Sequence, residues 1–168
     1  MTEAGILGRL DEFSALLRDA VEHGASVGYT LPLGRDEADG YWRGVAAGVA
    51  AGNRVLLAAR RADGALLGSG QLALEMRSNG RHRAEVQKVL VFHAARGRGL
   101  GAVLMARLEA EAAARGRTLL FLDTSVGAGG AVEFYQKLGY LPAGGIPDYA
   151  ADPDGTLRAN AIFYKRLR

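Results

Sequence analysis

The sequence predicts an α/β (α+β) fold, a mixed sheet flanked by helices, and three observations carry that expectation. Residues Glu85 to Asp123 run strand, glycine-rich loop, helix, strand, a βαβ unit whose two strands are parallel. A hairpin signal, Ala62-Asp63-Gly64, comes before it and two strand-like runs come after it, so the sheet is mixed. No internal repeat and no Pro- or Ser-rich linker divides the chain, so residues 1–168 read as a single domain.

Each element follows from hydrophobic periodicity. Leu10, Phe13, Leu16, Leu17, Ala20 and Val21 recur at helical spacing and stop before Gly24. A second helix runs over 36–51, with acidic residues in its first turn and Gly52-Asn53 behind it. Residues 54–60 and 65–74 are strands joined by the hairpin turn, and Glu85 to Phe92 is the next strand. Over 99–115 Leu100, Val103, Leu104 and Leu108 share a helical face, Glu111 can pair with Arg115, and Gly116 ends the helix. Thr118 to Asp123 is almost wholly apolar, as a strand buried on both faces would be. A short helix over 130–138 stops at Gly139, and strands over 140–146 and 160–167 complete the chain.

Composition narrows the function. With 49% hydrophobic and 23% charged residues, the chain has the make-up of a globular protein and not of a disordered one. Cysteine is absent, which removes disulfides, thiolate metal sites and cysteine nucleophiles together. His23, His82 and His93 are too far apart in sequence to form a local metal motif, so no metal is expected. A net charge of +3 suits an anionic small ligand better than nucleic acid. No run reaches the roughly 18 apolar residues of a membrane span. The opening MTEAGILGRLDEF lacks the basic-then-apolar order of a secretion signal, so the expectation is cytoplasmic, with no membrane partner. A homodimer is compatible with all of this.

The segment from Val91 to Ala102 leaves a strand and enters a helix. Glycines there let backbone N–H groups crowd an anion, the helix N-terminus favours negative charge, and Arg96 and Arg98 add full positive charges. A pyrophosphate fits. Gly97-x-Gly99-x-x-Ala102, with Asp123 ending the next strand, matches a dinucleotide fingerprint. Against that reading, His93 to Arg96 separate strand from loop, and the chain beyond Asp123 is too short for a second nucleotide-binding half. No Gly-Lys-Ser/Thr occurs, which excludes an ATP-type loop.

The other frame is Arg96-x-x-Gly99-x-Gly101. With AEVQKVLVFHAARGRGLGAVLM, LLFLDT and AVEFYQKLGY in that order, Glu85 to Tyr140 resembles the GNAT superfamily of acetyl-CoA-dependent N-acetyltransferases. A closer resemblance, to members that acetylate an amino-acid-like small molecule, rests on GASVGY (24–29), RAEVQK (83–88), LDT (122–124) and IPDYAADPDGTL (146–157). The segment before Gly24 is short for the family's usual first strand. The resemblance implies a centrally splayed sheet, with acetyl-CoA lying where the two parallel strands separate and no metal. It assigns the donor to Val89, Leu90 and Val91 on the strand, to Arg96, Gly97, Arg98, Gly99, Leu100, Gly101 and Ala102 in the loop, and to Thr124 and Phe134. Many relatives carry Asn where Ala128 stands here, so a side-chain bond to pantetheine is missing, and the backbone of residues 127–130 is the expected substitute.

By the same resemblance the chemistry needs a neutral amine and a proton for the departing thiolate. Glu85 and Asp123 are the candidate bases and Tyr135 the candidate acid. Each has a plainer alternative. Glu85 can simply pair with Arg83 or Lys88, Asp123 can cap a helix or hold a ribose, and Tyr135 can be a packed core tyrosine. The acceptor site is expected from Gly24 to Tyr29, Tyr41-Trp42 and Ile146 to Tyr149, with Trp42 in the core and His82 solvated. The expected acceptor is a small-molecule primary amine, an amino-acid-like antimetabolite or antibiotic among the options. The competing functions are a protein lysine or N-terminal acetyltransferase and a non-catalytic acyl-CoA-binding module.

Overall fold

The computed structural model describes residues 1–127 and 130–167. Three helices lead, α1 (Glu3–Leu7), α2 (Leu10–Glu22) and α3 (Arg35–Ala50). Strands β1 (Arg54–Arg60), β2 (Leu66–Leu74) and β3 (Arg83–Val91) follow, then α4 (Leu100–Ala114), β4 (Leu119–Ser125) and α5 (Ala131–Lys137). The chain ends through β5 (Leu141–Gly144), β6 (Ala150–Ala151), β7 (Leu157–Arg158) and β8 (Asn160–Arg166). The main sheet has the order β1-β2-β3-β4-β8-β5, and β6 and β7 form a separate ribbon. Only β3 and β4 are parallel neighbours; the other pairings are antiparallel. The mixed sheet is therefore as expected.

Two apolar clusters cover its two faces. The α2 stripe of Phe13, Leu16, Leu17, Ala20 and Val21 packs with Trp42, Val45 and Ala46 of α3 onto Leu56, Leu66 and Leu90. On the other face Met105, Leu108 and Ala112 of α4 pack on Leu72, Ala84, Val86, Leu120, Leu122 and Phe163. Helix α4 lies close to the sheet because β2 carries Gly70 there, where a Cβ would come within 2.9 Å of Leu108 Cδ1. The β1–β2 turn closes as its residues dictate: Gly64 takes φ +89 and the Asp63 carboxylate accepts the Ala65 N–H at 3.1 Å.

Two features, helix α1 and the end of β5, depart from expectation. Helix α1 was not legible, since five residues with a glycine inside give no period; Thr2 caps it by accepting the Gly5 N–H. No described residue before Arg54 lies in a strand, so β1 is the sheet's edge. Strand β5 ends at Gly144 and not at Ile146. At Gly145 a Cβ would fall 2.2 Å from the Asn160 carbonyl oxygen, so the chain crosses β8 too closely to continue as a paired strand with side chains.

Candidate active site

Strands β3 and β4 pair only through Arg83–Leu119, Ala84–Leu120 and Glu85–Phe121. Beyond Glu85 they diverge, leaving a wedge between Val89–Val91 and Asp123–Ser125. The bend sits in β3. Lys88 and Val89 together face Gly70, between the Ser69–Leu90 and Gln71–Gln87 pairs, and Lys88 takes φ +47. An extra residue of this kind bends a strand and increases its twist.

The wedge exposes main-chain groups selectively. Phe92 donates its N–H to the Leu67 carbonyl on β2 at 3.0 Å. Strand alternation then turns Leu90 toward β2, and Val89 and Val91 into the wedge. Of the three strand residues nominated by resemblance, Leu90 buries its side chain under α2 and α3, while the main chain of Val89 and Val91 faces the wedge, where the Val91 carbonyl already accepts from Arg96 Nε at 3.2 Å. On β4, Val126 donates to the Ala159 carbonyl, so Thr124 is committed to β8 and the main chain of Asp123 and Ser125 faces the wedge.

The loop after β3 ends in a run of main-chain N–H groups without backbone acceptors among the described residues. Gly97 and Gly99 adopt φ +76 and +78, conformations costly for a residue with a Cβ. The first bond of α4 runs from Val103 N–H to the Gly99 carbonyl. The N–H groups of Gly97, Arg98, Gly99, Leu100, Gly101 and Ala102 have no backbone acceptor among the described residues, which fits a pyrophosphate. Arg96 donates from Nε to the Val91 carbonyl at 3.2 Å, tying the loop to the strand end, and Arg98 is exposed. Phe134 packs where a Gly101 side chain would go, its Cζ 3.2 Å from that Cβ position, so α5 docks on the first turn of α4. Ala128 lies outside the described residues.

Ala84, Val86, Leu120 and Leu122 point under α4, so alternation places Glu85, Phe121 and Asp123 on the opposite face. Asp123 stands two residues beyond Phe121, the partner of Glu85, about 6.6 Å further along the sheet. A cleft of about 300 Å³ opens beside Glu85 and Phe121. The pairing of Glu85 with Arg83 does not form: Arg83 is held by Glu75 at 3.1 Å. Asp123 is exposed and accepts a hydrogen bond from Asn160 Nδ2 at 3.3 Å. Asn160 is buried, and its Oδ1 accepts the Ile146 N–H at 2.8 Å. Nothing local in the sequence marks Asn160, because both of its partners are distant along the chain.

Tyr135 comes from α5 and packs against the apolar cluster under α4. Its ring packs against Phe134, Tyr140 and Phe163, with centroids 5.1, 5.9 and 6.2 Å away. Burial first, and the charge of Asp123 second, push its phenol up to about 12. Tyr135 thus has both a packing role and a phenol that feels Asp123.

Two of the segments expected to form the acceptor side touch one another. Tyr29 and Tyr41 meet edge to face at 6.1 Å, and Gln71 Nε2 donates to Tyr41 Oη at 2.9 Å. Trp42 is fully buried and His82 is exposed, as expected. The tail ribbon is tied to the 28–31 loop by Leu31 N–H to the Pro153 carbonyl at 2.9 Å, and Ser125 Oγ donates to Asp152 at 3.3 Å. One expectation is modified by the fold: His23 and His93 stack at 4.0 Å, with Asp19 accepting the His93 N–H at 2.8 Å. Among the described residues no group of three or more side chains could hold a metal.

Comparison with known proteins agrees with this geometry. The model of the Acetyltransferase (GNAT) family matches residues 30–140. An uncharacterized N-acetyltransferase from the hisH-hisA intergenic region of Azospirillum brasilense is 34% identical over 118 residues, 69% of this chain and 68% of that protein. The IAA acetyltransferase of the same organism is 34% identical over 97 residues, and the match spans 58% of this chain but only 61% of that protein. A GNAT superfamily phosphinothricin acetyltransferase from Sinorhizobium meliloti, solved with acetyl-CoA, shares the fold with a TM-score of 0.78 at 18% identity, over 96% of this chain and 84% of that one. The chain belongs to the acetyltransferase (GNAT) family.

Proposed function

We propose that this enzyme acetylates the primary amine of a small molecule by direct attack, with Asp123 as base and Tyr135 as acid. The observation that supports this reading is that the charge of Asp123, which lies beyond the last β3–β4 pair, acts on the Tyr135 phenol. Val89 and Val91 would hold the pantetheine arm by main-chain bonds, and the N–H groups of Gly97 to Ala102 the pyrophosphate, with Arg96 and Arg98 adding charge. Thr124 and Phe134 complete that half by packing. Bound there, the thioester supplies an electrophilic carbonyl and a thiolate leaving group.

Asp123 takes a proton from the acceptor ammonium, directly or through water, and Glu85 adds negative charge that draws the ammonium in. The freed nitrogen attacks, the N–C bond forms as the C–S bond breaks, Tyr135 gives its phenolic proton to the departing sulfur, and the second proton of the attacking nitrogen, shed as the neutral amide forms, returns through water to the tyrosinate. Asp123 and Tyr135 act in sequence. Neutralising Asp123 removes one of the two causes that hold the phenol up, so Tyr135 becomes a better acid once the base has done its work.

The tail ribbon tied to the 28–31 loop walls the acceptor side, which supports a small acceptor over a protein chain. GASVGY, RAEVQK, LDT and IPDYAADPDGTL are also similar to tabtoxin resistance protein, whose acceptor is a β-lactam-bearing amino acid. The test is an amine panel, including amino-acid antimetabolites and a lysine peptide, followed by thiol release from acetyl-CoA. Turnover of the peptide alone overturns the small-molecule reading; binding of acetyl-CoA without turnover of any amine returns the chain to a sensing role.

A further inference from the structure

Lys88 is the one non-glycine residue of the main sheet with a positive φ, +47, and it occupies the bulge that opens the wedge. A lysine in that conformation is strained, and strain at such a position belongs where the side chain must be aimed. Its side chain goes to the acceptor face. The ammonium stands 5.7 Å from the centre of the Tyr41 ring and 3.9 Å from where a Cβ on Gly28 would be. Two of the three expected acceptor segments therefore converge on it.

It is not committed to a structural partner. Lys88 forms no ion pair or hydrogen bond within the described residues, although both Asp123 and Glu85 act on its charge. Arg54, the other cation near it, is occupied by Gln71 and Gln87 at 2.7 and 2.8 Å. A partly buried ammonium with no bonded partner is costly unless a ligand completes it.

The charges define what that ligand is. Asp123 and Glu85 attract an ammonium, yet a simple alkylamine would also meet repulsion from Lys88. A zwitterion can match both signs at once, its ammonium toward the carboxylates and its anionic group toward Lys88. We propose that Lys88 is the anchor for a carboxylate on the acceptor, so that this enzyme selects amino acids over plain amines. This deepens the proposed acetyltransferase reading and rests on it.

The test pairs amino acids with their own amides on the wild-type enzyme and on Lys88→Met and Lys88→Arg. The wild type should favour the free acids in kcat/KM by about tenfold or more, the scale of one charge-assisted contact. Lys88→Met should raise KM for the acids by a similar factor, leave KM for the amides within about threefold and bind acetyl-CoA as the wild type does. Lys88→Arg should restore part of the preference for acids. Equal use of acids and amides by the wild type, with both acetylated, overturns the anchor and leaves the acetyltransferase reading intact. An equal loss on acids and amides in a Lys88→Met protein that still binds acetyl-CoA also overturns it. No turnover of any amine by the wild type overturns the acetyltransferase reading and the anchor with it.

Discussion

Replacing Tyr135 by Phe removes a single oxygen from the site. The ring keeps its neighbours Phe134, Tyr140 and Phe163, so packing and acetyl-CoA affinity should change little. The phenol itself is held at about 12, whereas an ordinary thiol titrates near 8.5. Complete transfer from that phenol to a free thiolate is uphill by roughly 5 kcal/mol, so the proton must be shared while the C–S bond is still breaking. Such assistance is worth about a hundredfold, or about 2.7 kcal/mol in the barrier. Thiol release should therefore show kcat down about a hundredfold with acetyl-CoA binding within about twofold. The sign of the pH dependence follows from the same environment. A phenol raised to about 12 stays protonated, and a donor, at every pH below that value, so the wild-type rate should not fall between pH 8 and 10 on its account. Unchanged kcat in Tyr135→Phe would return Tyr135 to a packing role. A wild-type alkaline fall centred near 10 that Tyr135→Phe abolishes would show the phenol to lie outside the environment described.

Asp123→Asn should lower kcat/KM at least tenfold and more than Glu85→Gln does, and it should bring the Tyr135 phenol down, because a raising charge is gone; ultraviolet titration reads the second effect. Equal activity of both variants and of their double mutant would leave proton removal to solvent. Gly101→Leu should weaken acetyl-CoA binding at least tenfold, about 1.4 kcal/mol, because the Cβ position is already 3.2 Å from Phe134. NAD(P) should not bind in the same calorimetric titration, and NAD(P) binding without acetyl-CoA affinity would reinstate the dinucleotide reading. Asn160→Ala should cost about 1–3 kcal/mol in denaturant unfolding by leaving the Ile146 N–H unpaired. It should also lower kcat/KM through loss of the Asp123 contact, and unchanged values of both would remove Asn160 from the site.

The elements that were legible in the sequence are those with a long apolar period or a glycine stop. Helix α4, with Leu104 and Leu108 facing the sheet and Gly116 behind it, is one case; the hairpin at Asp63-Gly64 is another. The loop from Arg96 to Ala102 was legible because its glycines have a backbone purpose. Asn160 and Lys88 were not. Asn160 matters through Ile146 and Asp123, 14 and 37 residues away, and no local pattern encodes such a contact. Lys88 reads as one more charged residue on a strand until the bulge turns it, and a bulge is a matter of register between two strands, invisible in either alone. Leu90 shows the converse: it looked like its neighbours Val89 and Val91 because sequence does not tell which edge of a strand is already paired.

The β3–β4 wedge also bears on turnover. Main-chain groups of Val89 and Val91, and the N–H cradle of Gly97 to Ala102, would grip portions of the donor that acylation leaves untouched. Those portions are common to the incoming thioester and to the spent thiol, so the tightest part of the grip cannot distinguish fresh donor from product. Free CoA should then compete with acetyl-CoA at comparable concentration, and the ratio of the two in solution becomes a throttle on the enzyme. On the proposed assignment, only the few atoms near Tyr135 and Asp123 would tell one from the other. A wedge that holds its cargo by the handle gains binding strength and gives up an easy exit.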